Sequence, residues 1–590
     1  MSDPDKERYA RTDEKDLLPA WDMFIMALIV GILAGVGSIL FQGTIAFSES
    51  LLFYGEFGFH FEPDEHLALS PWGWGVIFVP VVGAAIVTWI TNTLSPESRG
   101  SGVPEVMHAI YYHGGRIRPV TVVAKALASA VSIGSGGSVG REGPIIQIGS
   151  SFGALAAGFR AMPARQRIVL VGAGAAAGIA ATFNAPLGGL AFAVELLLVS
   201  VSALNIAVVA SATVTATFIG RLYSGIGPTF EIPSVDLFSD HLIGTYQLLL
   251  CVPFGLLTGL AAAAFVRSIY WMEDRFNGLF DNDYLCHMSA MFIVGLMIYG
   301  FLVYTGEYYV AGVGYATILD VLRGVLTDPL FLLLLFAAKM LATALTLGTG
   351  ASGGVFSPSL FLGATLGAAW AELSGFLMPG IEVDPVVFAV AGMAGMVGAT
   401  TSAVVTAIAM IFEQTLDYSA ILPIITTVAL AYVVRVRLVS ESIYTLKLAR
   451  RGRGVPQGLQ AAMSVTMDAR KVMSRNFEIV EYEHLTEWCR TRSAEHEARY
   501  AVVVRDGEIH GLAHEERPWL LADHDPEQLV WTDFLLVPPG MRWSVLMRAL
   551  RSSSSEIVIV GRSLAIEDLR GVITAREIAR AARDNADLME

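Results

Sequence analysis

A chain of 590 residues that is 54% hydrophobic and only 16% charged, with a mean hydropathy of +0.57, belongs among polytopic membrane proteins rather than soluble ones. Its net charge of −15 is spread along the sequence, which argues against a nucleic-acid partner. Three scattered cysteines (Cys251, Cys286, Cys489) build no disulfide framework, and neither they nor the histidines show metal-ligand spacing; His108 and His113 read as polar residues near a membrane surface.

Met1 to Leu18 is polar, so it is no signal peptide and is expected to be a cytoplasmic tail (1–19). Met23 to Phe47 and Trp72 to Ile90 are long enough to cross a bilayer, and Glu49 to Ser70 between them reads as an extramembrane loop with interfacial aromatics. Gly100-Ser101-Gly102-Val103-Pro104 is a loop opening a helix with proline in its first turn, where Ser101 serves as an ordinary cap. Gly140-Arg141-Glu142-Gly143-Pro144 follows the apolar run Ala126 to Val139 and opens another, Ile145 to Phe159. An arginine and a carboxylate between glycines in apolar surroundings are costly and mark function. Uncovered amides at a helix N-terminus attract an anion, and Glu142 can serve as a built-in one. The alternative is a turn whose Arg141–Glu142 pair faces solvent.

The pattern returns 214 residues later. Lys125, Gly134, Gly136, Gly140, Gly149, Gly153 and Pro144 recur as Lys339, Gly348, Gly350, Gly354, Gly363, Gly367 and Pro358, while Arg141-Glu142 becomes Val355-Phe356. Ala173 to Glu195 pairs with Ala391 to Glu413 at a slightly larger offset. Two copies of one membrane unit are expected, roughly 20–222 and 241–450, as in transporters with internal repeats. Lys125 and Lys339 read as intramembrane charges near an anion path or as snorkelling residues. Ile168 to Ser200 is a helix, a break at Asn184-Ala185-Pro186, and a second helix; the retained Glu195 and Glu413 suggest a structural pair.

Asn205 to Gly220, Ile243 to Val266, Met288 to Tyr304, Phe331 to Leu347, Val386 to Phe412 and Ile421 to Val434 are further spans, with a Gly/Pro/Ser-rich linker at Ser224 to Asp240. Arg435, Arg437, Lys447, Arg450, Arg451 and Arg453 crowd the end of the membrane region and place it in the cytoplasm. After Pro456 the composition turns soluble. Ala501 to Val504 leads into Asp506-Gly507, a hairpin signal.

The three motifs Gly100-Ser101-Gly102-Val103-Pro104, Gly140-Arg141-Glu142-Gly143-Pro144 and Gly354-Val355-Phe356-Ser357-Pro358, with Tyr444 near the end of the last membrane helix, resemble the anion site of the CLC family of chloride channels and proton-coupled chloride antiporters. The resemblance runs over residues 20 to 450 and implies an all-α membrane domain (20–453) of two inverted repeats, embedded in the lipid of the cell membrane. It also implies a homodimer with one pore per subunit and both termini cytoplasmic. Chloride would be held by amides at Gly140, Arg141, Glu142, Gly143, Gly354, Val355 and Phe356 and by the hydroxyls of Ser101 and Tyr444, with Glu142 as the gate. Serine at 101 implies chloride rather than nitrate. Antiporters of the family carry a second, proton-relaying glutamate where this chain has Leu196. That favours a passive channel, the alternative being an antiporter with another, water-borne proton route.

Residues 454–590 resemble a tandem CBS pair, a small α/β module. Val472-Met473-Ser474 with Gly511-Leu512 resembles one motif, and Glu556 to Val560 with Gly571-Val572-Ile573-Thr574 a second. Such pairs sometimes bind adenine nucleotides, here through Thr574 and Glu577. His514 replaces the usual Ser or Thr of the first motif, so a dimer-bracing role is the better expectation. Two other readings are a CBS ligand sensor with a membrane anchor, which needs no anion site, and a cation transporter, which needs several carboxylates facing one cavity. No metal motif, triad or phosphate loop supports enzyme activity, and no cofactor is implied.

Overall fold

Lipid offers a peptide group no partner, so an apolar run satisfies its amides by closing them into a helix. Among the described residues nine helices are long and apolar enough to cross a membrane. The computed structural model describes residues 18–59, 64–160, 162–230, 241–379, 383–455, 467–488, 500–514, 530–553, 555, 557–563 and 565–586. The expected N-terminal tail and most of the repeat linker lie outside them. One unit of the chain comprises Asp13–Val455, and a second contains Pro456–Glu590.

The first half of the membrane unit runs α1 (Ala20–Glu49), α2 (Val79–Thr93), α3 (Val103–His113), α4 (Val120–Gly134), α5 (Glu142–Gly158), α6 (Ala164–Phe183), α7 (Pro186–Phe192) and α8 (Ala203–Ser224). The second repeats the order as α9 (His241–Leu279), α10 (Asp283–Thr305), α11 (Tyr315–Leu322), α12 (Pro329–Gly348), α13 (Phe356–Leu377), α14 (Pro385–Thr401), α15 (Val404–Thr415) and α16 (Ile421–Leu438), before a short α17 (Thr445–Arg450). The fold is two inverted repeats. In each, glycines spaced by four let one helix lie directly on the next. A Cβ at Gly149 or Gly153 of α5 would strike the Gly174 or Leu170 carbonyl of α6, and one at Gly363 or Gly367 of α13 the Gly392 or Phe388 carbonyl of α14.

The expected break after Phe183 is present, with Asn184 left-handed at φ 55°. Its partner was not foreseen: Val386 to Phe412 is not one span, because Ser402 at φ 62° ends α14 and α15 restarts at Val404. No glycine or proline marks that turn in the sequence. The retained carboxylates explain it. Glu413 accepts from the Leu187 and Gly188 amides at 3.0 and 2.7 Å and so caps α7. Glu195 accepts from the Val405 and Thr406 amides at 3.2 and 2.9 Å and so caps α15. Each repeat closes the broken helix of the other.

In the second unit, α18 (Ala469–Val472) precedes a sheet of β1 (Phe477–Glu481), β2 (Tyr500–Arg505), β3 (Glu508–His514) and β4 (Val530–Trp531). The Asp506-Gly507 turn has the expected positive φ at both residues, and β2 pairs antiparallel with β3. A second sheet holds β5 (Phe534–Val537) parallel to β6 (Ile557–Gly561), and β6 antiparallel to β7 (Leu569–Ile573). Helices α19 (Trp543–Ser552) and α20 (Ala575–Ala586) complete it.

Candidate functional site

Three of the sequence motifs meet through their backbones. Gly140 and Gly354 exchange both peptide hydrogen bonds, at 2.8 and 2.6 Å. The Gly100 amide donates to the Ala351 carbonyl at 2.9 Å, and the Gly353 amide to the Gly100 carbonyl at 3.3 Å. These bridges bring the N-termini of α5 and α13 together, and the start of α3 joins them because Gly143 lies against the Ser101 carbonyl with no room for a Cβ. A Cβ at Gly140 would run into the Glu142 carboxylate, and one at Gly354 would fall 2.7 Å from the Gly143 nitrogen.

Glu142 is buried in the first turn of α5, and its side chain crosses to the other repeat. Oε2 accepts from the Ser357 amide at 3.3 Å, in the first turn of α13. Oε1 accepts from the Ser357 hydroxyl and, at 2.6 Å, from the Tyr315 hydroxyl. A carboxylate from one repeat is thus bound as an anion at a helix N-terminus of the other, where the positive end of the dipole lies. The solvent-facing Arg141–Glu142 pair is not what forms. Arg141 is also buried and makes no ion pair among the described residues; its Nε has no hydrogen-bond partner. The guanidinium lies 5.7 and 5.5 Å from the Phe183 and Tyr315 ring centroids, held by cation–π attraction.

The other sequence-predicted residues fall around this point. Phe356 is buried, its ring 6.1 Å from that of Phe183. Val355 and Ser101 border a vestibule of about 280 Å³ with Arg99, Lys447 and Arg451 on its wall. Tyr444 is buried within electrostatic range of Glu142. The donors that engage the carboxylate are those of Ser357 and Tyr315, whereas the sequence pointed to the amides of Val355 and Phe356. Tyr315 was missed, although Gly312-Val313-Gly314-Tyr315 is the second-repeat counterpart of Gly100-Ser101-Gly102-Val103.

Lys125 and Lys339 do not snorkel: they are intramembrane groups on the loops beside the anion site. Both are fully buried, Lys125 donating to the Ser98 and Gly100 carbonyls at 3.0 and 2.6 Å, Lys339 to those of Val310 and Gly312 at 3.1 and 2.8 Å. They lock the loops that start α3 and α11. Leu196 lies in a π-helical turn, Ala193–Leu197, and offers no proton acceptor.

In the second unit Thr574 and Glu577 form a capping box at the start of α20. Glu577 accepts from the Thr574 amide at 3.1 Å and hydroxyl at 2.7 Å, and from the Tyr500 hydroxyl at 2.8 Å. Their polar atoms are engaged within the protein.

Residues 83–435 match the model of the voltage gated chloride channel family. The H(+)/Cl(-) exchange transporter ClcA of Vibrio parahaemolyticus is 32% identical over 437 residues, covering 73% of this chain and 90% of its own. A putative chloride channel protein, ClcB-like, of Ralstonia nicotianae is 32% identical, covering 64% of this chain and 86% of its own. Among solved structures, a slow cyanobacterial Cl-/H+ antiporter aligns with a TM-score of 0.63 at 27% identity, over 74% of this chain and 99% of that one. A eukaryotic CLC transporter aligns with a TM-score of 0.61 at 20% identity, over 94% and 97%, a likeness of fold.

Proposed function

The chain belongs to the voltage gated chloride channel (CLC) family, and from that premise we propose that it exchanges chloride for protons, with Glu142 as the gate. Membership makes it a multi-pass membrane protein that transports chloride. The observation that carries the gate is the Glu142 carboxylate bound by Ser357 and Tyr315 between the N-termini of α5 and α13. A dehydrated chloride needs the same donors. Two unit charges 4 Å apart at a protein-like dielectric repel by about 4 kcal/mol, so carboxylate and chloride exclude one another by about three orders of magnitude. Protonation removes the competing charge and frees the path, so flux rises as pH falls.

Leu196 by itself favours passive conduction. The relatives named as H(+)/Cl(-) exchangers favour coupled exchange instead, with protons reaching Glu142 by a route other than a second glutamate. Purified protein in liposomes under opposed chloride and pH gradients decides between them. A reversal potential that moves with the pH gradient means exchange; one set by chloride alone restores the channel.

The same reading makes the protein a homodimer with cytoplasmic termini that carries out transport and not catalysis. Residues 454–590 then act as a CBS pair bracing the dimer, and the internal engagement of Thr574 and Glu577 supports bracing over nucleotide binding.

A further inference from the structure

Tyr315 is the first residue of α11, preceded by Gly314 at φ +81°, a left-handed conformation that favours glycine. Its ring is fully buried, packed edge-on against Phe230 with centroids 5.3 Å apart. The hydroxyl has one proton and gives it to Glu142. The Ser357 hydroxyl lies 3.2 Å away and donates to the same carboxylate, so the two hydroxyls converge on Glu142 Oε1. Tyr315 also lines a cavity of about 50 Å³, room enough for water, with Glu49, Glu65, His66, Tyr308 and Tyr309 on its walls. His66 is itself held by carboxylates, 2.6 Å from Asp320 on α11 and 3.7 Å from Glu307. The Arg141 guanidinium lies 5.5 Å from the Tyr315 ring centroid, and the Lys339 ammonium stands beside the preceding residue, Gly314.

We propose that Tyr315 is a positioning residue that latches ionised Glu142 in the anion path at the edge of this acidic cavity, and that the proton that opens the gate is drawn from the cavity. The proposal rests on Glu142 being the gate. A protonated cavity carboxyl gives up its proton to cavity water, one proton passes on to Glu142, and the donor is left as a carboxylate; Tyr315 keeps its own proton. Once Glu142 is neutral, the Tyr315 bond loses its charged acceptor and about half its strength, and the latch releases. The cavity is lined by residues of both repeats, among them the end of α1, the 64–70 loop, the end of α4 and the start of α11, so it lies where the repeats meet.

The test is chloride flux against pH in liposomes. Tyr315→Phe removes a donor to the charged form, so the midpoint should move up by about one pH unit, with about twofold more flux at the native midpoint and about tenfold more at pH well above both midpoints. Glu49→Gln and Glu65→Gln remove negative charge from the cavity and should move it the opposite way, by several tenths of a unit. On a Glu142→Gln background Tyr315→Phe should change flux less than twofold. An unmoved midpoint in assembled Tyr315→Phe, or a tenfold effect that persists without Glu142, overturns the latch. Midpoints unmoved in both cavity variants, which leave the anion site intact, overturn the proton source. A native pH response in Glu142→Gln removes the gate reading itself, which a failed latch with a pH-insensitive Glu142→Gln does not.

Discussion

The two repeats share a scaffold and differ in chemistry. Lys125 and Lys339 lock equivalent loops, Glu195 and Glu413 cap each other's broken helices, and matched glycines seat α5 on α6 and α13 on α14. The differences gather at one point. The first repeat supplies Arg141 and Glu142; at the same places the second has Val355 and Phe356, and it adds the Ser357 and Tyr315 hydroxyls. A perfectly symmetric site would place two carboxylates or none at the crossing of two helix dipoles, and neither could compete with one chloride. Symmetry is kept where folding needs it and broken where the ion passes.

The largest effect should come from making that point chemically symmetric. Glu142→Gln leaves no carboxylate at the crossing, so chloride flux in liposomes should persist and lose its pH dependence, and coupled proton movement should fall to background. If Glu142 were only structural, the variant would misassemble or lose flux. Next come the lysines, where the likeness is imperfect. The Ser98 carbonyl also receives the Ser352 hydroxyl, and the Gly100 carbonyl the Gly353 amide, whereas Val310 and Gly312 have no other donor among the described residues. Removing Lys339 therefore strands the buried Val310 carbonyl, at about 1–3 kcal/mol, and takes the donor from the half-buried Gly312 carbonyl. Lys339→Met should lower thermal stability in detergent clearly more than Lys125→Met; equal losses would mean that charge, not satisfaction of carbonyls, is what both supply.

The capping carboxylates test the symmetry at smaller scale. Each of Glu195 and Glu413 accepts from two amides of the other repeat, and Glu195 also from the Thr406 hydroxyl at 2.8 Å. Converting either to glutamine weakens charge-assisted caps, a loss of about 1–2 kcal/mol, with Glu195→Gln the larger. Chloride flux per assembled protein should stay within twofold, since neither touches the anion site.

Much of this was legible because the repeat is written in glycines and in buried charges. The motifs around Glu142 and Phe356, the break at Asn184 and the structural pairing of Glu195 with Glu413 all follow from residue types that few other positions tolerate. The break at Ser402 was hidden because its cause is remote: Glu195, some 200 residues earlier in the chain, caps the restarted helix. Tyr315 was hidden because its motif keeps only the glycines, Gly312 and Gly314 echoing Gly100 and Gly102, and a tyrosine in an apolar run reads as core until its hydroxyl finds a partner. Leu196 pointed to a passive channel, whereas the relatives named as H(+)/Cl(-) exchangers favour coupled exchange; an absent residue says which route is closed and not which is open.

The smallest effect concerns the unit outside the repeats, where a buried carboxylate is used for cohesion alone. Glu577, like Glu142, is buried and accepts a tyrosine hydroxyl, from Tyr500 at 2.8 Å. Unlike Glu142, it spends its remaining capacity on its own helix, capping Thr574. No site for a competing anion is left, so the pair should stabilise without gating. Tyr500→Phe should cost about 1–2 kcal/mol, seen as about 5- to 30-fold faster hydrogen exchange of β2 and α20 amides in the full chain. Burial, and then the facing carboxylate, push the Tyr500 hydroxyl up to about 12. A group raised on folding contributes fully below its ordinary value, about 10 for tyrosine, and that contribution fades as pH climbs through the folded value. Exchange in the native chain should therefore converge on that of Tyr500→Phe between about pH 10 and 12, while chloride flux at neutral pH is the same in both. A Tyr500→Phe protein that exchanged at the native rate at neutral pH would show that Glu577 is held by its helix cap alone.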